Sequence, residues 1–201
     1  MIKTYTYTLS VKSLEQMKRD ISDIYKIISS PELLKIIEKK CNEELMQICV
    51  NELNGFEEEL ENGDYMSGMH SEIKDGTIYV YNNSVIDVSS KNVSDTTKRN
   101  YPNGLSLAKV VEYGIGFTGS FTEGVKSTDW EYDINNHGEE GWYYQDKDGN
   151  FHWTNGFEGR LIFLKLKKKI QENIQKWIYE YVGKELRWKN VRFRNKIAKG
   201  I

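Results

Sequence analysis

Between residues 31 and 55 the chain carries its most restrictive pattern. Leu34, Ile37, Cys41, Leu45, Ile48, Cys49 and Leu53 recur at three- and four-residue steps, which places them on one side of an α-helix. Ser30 stands where an N-cap belongs, Pro31 occupies the first helical position, and Asn54-Gly55 supplies a C-cap. A helix this long with a single apolar stripe needs a second apolar surface to cover it, so the rest of the chain has to provide one.

Two other stretches share the helical period. Ser13 with Gln16 fits a capping box, followed by Leu14, Met17, Ile21, Ile24 and Ile28. From Gly159 onward Leu161, Leu164, Ile170, Ile174, Trp177, Ile178 and Tyr181 predict a long helix that Gly183 closes, with Lys165, Lys167, Lys168 and Lys169 on its polar side. Between these helical ends the period changes to two. Residues 71–82 read as a hairpin turning at Asp75-Gly76, with Ile78 and Val80 alternating against Tyr79 and Tyr81. Residues 84–90, "SVIDVSS", are a candidate extension of that sheet, and residues 89–104 read as a long polar loop. A second hairpin joins Trp142–Gln145 to Phe151–Trp153 through "KDGN". The run "DKDGN" lacks the flanking helices and closing Glu of a calcium loop and is read as the hairpin turn. The expected fold is α+β: an antiparallel sheet of about four to six strands, packed against the long N-terminal helix and the long C-terminal helix. The hydrophobic fraction is 38% with 12% aromatic residues, so Tyr, Trp and Phe must supply much of the burial. The expected organisation is one domain over residues 1–183, with a hairpin-bearing insert at 120–158 and a basic extension over 184–201.

Charge is segregated along the chain. Residues 184–201 hold seven Lys/Arg and one Glu, a local +6, so the other 183 residues sum to −8 within a total of −2. An acidic body with a basic end suits contact with another chain or with phosphates. Arg187, Lys189, Arg192, Arg194 and Lys196 form the candidate basic contact patch. Cys41 and Cys49 have no CxxC spacing and read as reduced core thiols. No apolar run reaches the length of a membrane span, and "MIKTYTYTLS" alternates like a strand without a signal-peptide core. The chain is therefore expected in the cytosol when made, without membrane contact.

Chemistry is sparse. His70, His137 and His152 form no ligand pair at helix or strand spacing, there is no nucleophile elbow, and there is no P-loop. The acidic group Glu57, Glu58, Glu59, Glu61 and Asp64 reads as a solvated loop. Gly114, Gly116 and Gly119 do spell G-x-G-x-x-G. A dinucleotide loop follows a strand and opens a helix, whereas here a short helix over residues 105–112, N-capped by Ser106, precedes Gly114 and presents the wrong end of its dipole. Gly114 is read instead as that helix's C-cap with positive φ, where alanine would cost about 1 kcal/mol. No enzyme activity, cofactor or metal is expected.

The segment "AKVVEYGIGF" resembles one typical of the small neck or tail-completion proteins of long-tailed phages. In that family a short helix ends in Glu, an aromatic residue and Gly, matched here by Val111, Glu112, Tyr113 and Gly114. The helical region 13–53, the hairpin 71–82 and the aromatic-Gly entry "WTNGFEGRLIFLKLKKKIQENI" are similar to the family's order of elements, over roughly residues 5–182. The insert 120–158 and the extension 184–201 depart from it. The resemblance implies a structural virion protein, assembled in the host cytoplasm and ending in the neck or tail. It implies a homo-oligomeric ring, a hexamer or dodecamer, that meets connector and tail proteins and surrounds passing DNA. Glu112, Tyr113, Gly114, Gly116 and Phe117 are then the candidate subunit-interface residues. The alternative is a nucleic-acid-binding protein that uses Trp188 and Phe193 among the basic residues of the C-terminal extension.

Overall fold

The structure is a computed structural model, and it describes residues 11–54, 65–86, 89, 95–122, 130–134, 137–145 and 149–198. The strand expected at residues 1–10, Gly55 of the expected C-cap, the acidic group at 57–64, and Lys147 and Asp148 of the second hairpin turn lie outside the described residues.

The elements in chain order are α1 (Val11–Ile28), α2 (Pro31–Leu53), β1 (Met69–Lys74), β2 (Thr77–Asn82), β3 (Val85–Ile86), α3 (Asp95–Asn100) and β4 (Leu105–Ser106), then α4 (Leu107–Tyr113), β5 (Gly114–Ile115), the single turn α5 (Gly116–Gly119), β6 (Trp142–Gln145), β7 (Phe151–Thr154), β8 (Phe157–Glu158) and α6 (Ile162–Ala198). The fold is α+β, with small antiparallel sheets against the long helices α2 and α6. The strands do not join into one sheet of four to six. Among the described residues they pair as four two-stranded antiparallel ladders, β1 with β2, β3 with β4, β5 with β8 and β6 with β7. The two hairpins fall where the alternation put them, with Ile73 opposite Ile78 and Tyr143 opposite Trp153. Residues 85–86 leave the first hairpin to pair with 105–106, and a short helix, α3, occupies the stretch expected to be loop.

The chain divides into two compact units, residues 1–39 with 172–201, and residues 40–171. The first contains α1, the start of α2 and the greater part of α6. Ile27, Leu33 and Trp177 are its buried apolar side chains among the described residues. The Ser30 hydroxyl caps α2 by accepting the Leu33 amide at 3.3 Å and lies 3.3 Å from the Tyr181 hydroxyl. Two boundary expectations are corrected in this unit. Helix α1 is already formed at Val11, so Ser13 lies inside it rather than capping it. Helix α6 runs through Gly183 to Ala198; a glycine inside a helix costs about 1 kcal/mol against alanine, too little by itself to end a long helix.

The second unit holds the main core. Leu45, Ile48, Cys49 and Leu53 from α2 meet Leu107 and Val111 from α4, Ile162 and Leu166 from α6, and Tyr65. From Cys41 to Leu53 the stripe read from α2 is inward as expected, whereas Leu34 and Ile37 are half-buried and Leu33 takes the buried position at the start of the helix; both cysteines are buried and form no disulfide. In the part of α6 that belongs to this unit the buried positions are Ile162 and Leu166, a register displaced from Leu161 and Leu164. A satellite cluster of Leu105, Val110, Trp130 and Ile134 packs on the other side of α4. Burying side chains of this size stabilises by about 1.5–3 kcal/mol each, and α4 is held between two such clusters.

Candidate functional site

Helix α4 is seven residues long, and its two ends are fixed differently. Ser106 caps the start, its hydroxyl accepting the Lys109 amide at 3.4 Å. The end is tied to a distant segment. The carbonyls of Val111 and Glu112, which have no partner within so short a helix, accept the amides of Arg160 at 2.7 Å and Leu161 at 3.2 Å. Leu161 takes up positive φ, 53°, to make this bond and then accepts the Lys165 amide at 2.9 Å.

Glu112 completes the exchange in the opposite direction. Its side chain is 7% exposed, and its two carboxylate oxygens accept the amides of Phe163 at 2.9 Å and Leu164 at 3.0 Å. These are two of the free N–H groups at the start of α6, where the helix dipole also favours negative charge. Burial raises the Glu112 carboxyl above its ordinary value, opposed by the Phe163, Leu164 and Ile162 amides and by the Lys165 ammonium. Lys165 itself pairs with Glu52 of α2 at 2.6 Å. The capping carboxylate therefore joins α4 to α6, and the neighbouring ion pair joins α6 to α2.

The glycines lie at the next step of the chain. Gly114 is the C-cap with positive φ that was expected; its φ 79° and ψ 176° are a conformation essentially restricted to glycine. Its amide still closes α4 by bonding to the Val110 carbonyl, after which Gly114 and Ile115 pair with Glu158 and Phe157. A Cβ on Gly114 would collide with the Phe157 carbonyl and come within 2.7 Å of the Gly159 amide. At Gly116, with φ 67°, it would lie 2.6 Å from the Asn155 carbonyl and 2.8 Å from the Trp142 ring. Gly119, Gly156 and Gly159 meet backbone just as closely. The G-x-G-x-x-G spacing thus lets two backbone segments, 112–119 and 155–159, cross at contact distance.

Polar side chains staple this crossing. Thr122 accepts the Gly159 amide at 2.7 Å and donates to the Tyr113 carbonyl at 3.1 Å. The Trp130 indole donates to the Gly114 carbonyl at 2.8 Å. The Thr118 hydroxyl donates to the Asn155 side-chain oxygen at 3.0 Å. The sequence reading missed Thr122, Trp130 and Asn155, because their partners are 9 to 37 residues away and no local pattern encodes such bonds.

The five residues proposed as a subunit contact are thereby brought together. Glu112, Gly114 and Gly116 are buried inside the crossing, and Tyr113 and Phe117 are half-buried at its surface. Phe117 meets the exposed Phe121 edge-on, with ring centroids 4.8 Å apart. Of the basic patch, Arg187 is exposed and its Nε donates to the Gly183 carbonyl at 3.1 Å. Lys189, Arg192, Arg194 and Lys196 follow on the same helix, beyond the described side chains.

Above Gly116 stands the β6–β7 hairpin. Its inner face is anchored by Trp142, whose ring lies over Gly116 and stacks on His137 at 5.6 Å. Its outer face carries Tyr143, Phe151 and Trp153, with Tyr143 and Trp153 edge-on at 5.0 Å. No His/Cys/Asp/Glu group suited to a metal occurs among the described residues, and no helix among them is long and apolar enough to cross a membrane. No protein-family model, curated protein or solved structure matches this chain.

Proposed function

We propose that the chain is a structural subunit of a phage or phage-tail-like particle. In this reading it assembles as a ring at the head–tail junction or tail end that joins or completes the tail. The observation that carries the assembly half of the reading is the apolar surface left in water. Ile21, Tyr25 and Ile28 on α1, Phe121 after α5, and Tyr143, Phe151 and Trp153 on the second hairpin are all exposed. Clustered exposure of this kind marks surfaces that other proteins cover. The virion half rests on the resemblance carried by Val111, Glu112, Tyr113 and Gly114, and those residues sit where α4, the glycine crossing and α6 meet. Half-buried Tyr113 and Phe117, with Phe121, offer a contact surface beside that junction.

The test is genetic and visual. Particles assembled without the chain are expected to leave filled heads and detached tails. A tagged chain is expected to place its label at the junction in electron micrographs. Fully joined particles in its absence, or label elsewhere, would sink the reading.

A second reading is favoured by the path of α6. Because the helix continues to Ala198, the basic residues beyond Gly183 extend along one rod, the whole helix being about 55 Å long at 1.5 Å per residue. Such a rod suits the phosphates of DNA threading a ring. Binding of duplex DNA that weakens steeply with salt, and is lost when 184–201 are deleted, would support it; binding unchanged by the deletion would remove it.

A further inference from the structure

The first hairpin leaves one strand without an outer neighbour. Its turn, Asp75-Gly76, takes positive φ at both residues, 51° and 74°, the type I′ geometry of a two-residue hairpin loop. Such a turn makes Lys74 and Thr77 a hydrogen-bonded pair, and antiparallel pairs alternate from there. Glu72 with Tyr79 and His70 with Tyr81 are the next bonded pairs. Ile78 and Val80, which lie in between, send their backbone N–H and C=O groups away from β1. Those groups face the outer edge of β2, where no third strand pairs among the described residues. No hydrogen bond reaches them there from the described residues either.

Sheet edges of this kind are ordinarily blunted by a charge, a proline or a bulge. β1 is protected: Glu72 and Lys74 are exposed on it, and the Ser71 hydroxyl accepts a bond from the Asn42 side-chain amide of α2 at 2.8 Å. β2, "TIYVYN", contains no charge, no Pro and no Gly. Its pairing with β1 is unbroken from Thr77 to Asn82, so no bulge turns the edge aside. The strand is also complementary to itself. Around Tyr79 the chain reads Thr77, Ile78, Tyr79, Val80, Tyr81. Set antiparallel to a second copy, Ile78 lies opposite Val80, Tyr79 opposite Tyr79, and Thr77 opposite Tyr81. The Ile78–Val80 pairs are the hydrogen-bonded ones, where the free backbone groups are. Each pair also keeps to one face, since Ile78 and Val80 are half-buried while Thr77, Tyr79 and Tyr81 are exposed.

We infer that β2 pairs edge to edge with β2 of a second copy of the same chain, in the antiparallel register centred on Tyr79. The two hairpins then form one continuous sheet in the order β1–β2–β2–β1. Backbone bonds supply the affinity, as in strand addition generally, and the β-branched and aromatic cross-strand pairs add to it. Neither joining strand carries a charge, so no like charges oppose each other at the seam. The contact is isologous: it joins two subunits and by itself closes no ring. It goes beyond the ring reading and does not depend on it.

Opposite charges at one position test it. In the full chain, Tyr79→Lys and Tyr79→Glu each set like charges face to face across the two-fold axis, which destabilises a cross-strand pair. Tyr79 is exposed, so both variants are expected to fold, with the circular dichroism of the wild type. By light scattering the wild type should reach twice the mass of either variant alone, and an equimolar mixture of the two variants should regain it. Equal masses for the wild type and both variants overturn the inference, and so does a mixture that stays at the lower mass. Cysteine crosslinking answers the question even where a charged variant misfolds. Tyr79 meets its counterpart in a non-hydrogen-bonded pair, with Cα atoms about 4.5 Å apart and within reach of a disulfide. Tyr79→Cys should give a disulfide dimer under mild oxidation, while Glu72→Cys, exposed on the neighbouring strand, should not; Cys41 and Cys49 are buried. No crosslink at 79, or equal crosslinking at 72, overturns the pairing. Slow hydrogen exchange of the Ile78 and Val80 amides in a monomeric wild type does so too, because another segment would then cover the edge. Particle imaging decides the ring reading separately, and a ring closed through another face would survive failure here.

Discussion

The carboxylate of Glu112 accepts the backbone amide of Phe163 at 2.9 Å across 51 residues of sequence, so the end of one helix serves as the cap of another. The reverse bonds, from Arg160 and Leu161 to the carbonyls of Val111 and Glu112, make the exchange mutual. Removing the carboxylate leaves two amides of α6 without acceptors. Glu112→Ala is expected to destabilise the chain by about 2–3 kcal/mol, measured by urea denaturation.

The pH dependence of that bond has a definite sign. Burial raises Glu112 above its ordinary value of 4.5, so the folded chain still holds this proton where the unfolded chain has released it. The group's contribution is fully present below the unfolded value and is lost as pH rises through the folded one. The stability difference, wild type minus Glu112→Gln, should therefore shrink as pH rises above the ordinary carboxylate range. A difference that grows there would contradict the burial.

Gly114 is a more demanding position than an ordinary helix cap. A left-handed cap would cost about 1 kcal/mol on substitution. At φ 79° and ψ 176°, with the Phe157 carbonyl in the way of a Cβ, Gly114→Ala is expected to cost at least about 3 kcal/mol. A fall in melting temperature several times that of Gly76→Ala, where a Cβ meets nothing within 4 Å, is the expected comparison.

Gly183 should behave in the opposite way. It lies inside α6, and a Cβ there meets nothing within 4 Å. Gly183→Ala is expected to stabilise by about 0.5–1 kcal/mol, through helix propensity and a less disordered unfolded chain. A loss of stability would mean that the helix ends or bends at this residue.

Tyr65 carries a buried hydroxyl that makes no hydrogen bond among the described residues. Its burial, with Cys49 and Glu112 nearby, drives the phenol far above its ordinary range. An unpartnered buried hydroxyl contributes nothing to offset its desolvation, so Tyr65→Phe should leave stability unchanged or raise it by up to about 1 kcal/mol. A large loss in thermal melting would reveal a partner for the hydroxyl.

The helices and hairpins were legible because their signals are local. The Ser30-Pro31 start, the Ser106 cap, the Asp75-Gly76 turn and the alternation of Trp142–Gln145 each occupy a few adjacent residues. The sequence also disclosed Val111, Glu112, Tyr113 and Gly114 as a group, through resemblance. It did not disclose their work inside the fold. Nothing local says that Glu112 points at α6, or that Gly116 and Gly119 make room for Asn155 and Phe157. The separation of the strands into four ladders was equally hidden, since alternation specifies a strand and not its neighbour.

By itself, then, the sequence determined the two hairpins and the bodies of α2, α4 and α6, but not α3 or the ends of α1 and α6, because φ/ψ preference, capping and hydrophobic period act within a few residues. The tertiary structure alone decided which end met which: the Glu112 carboxylate at α6, the glycines at a backbone crossing, and Ile21, Tyr25 and Ile28 of α1 left facing water while Ile27 is buried. Those outcomes depend on desolvation and close packing between segments tens of residues apart, and that free energy is defined only once the chain has closed on itself.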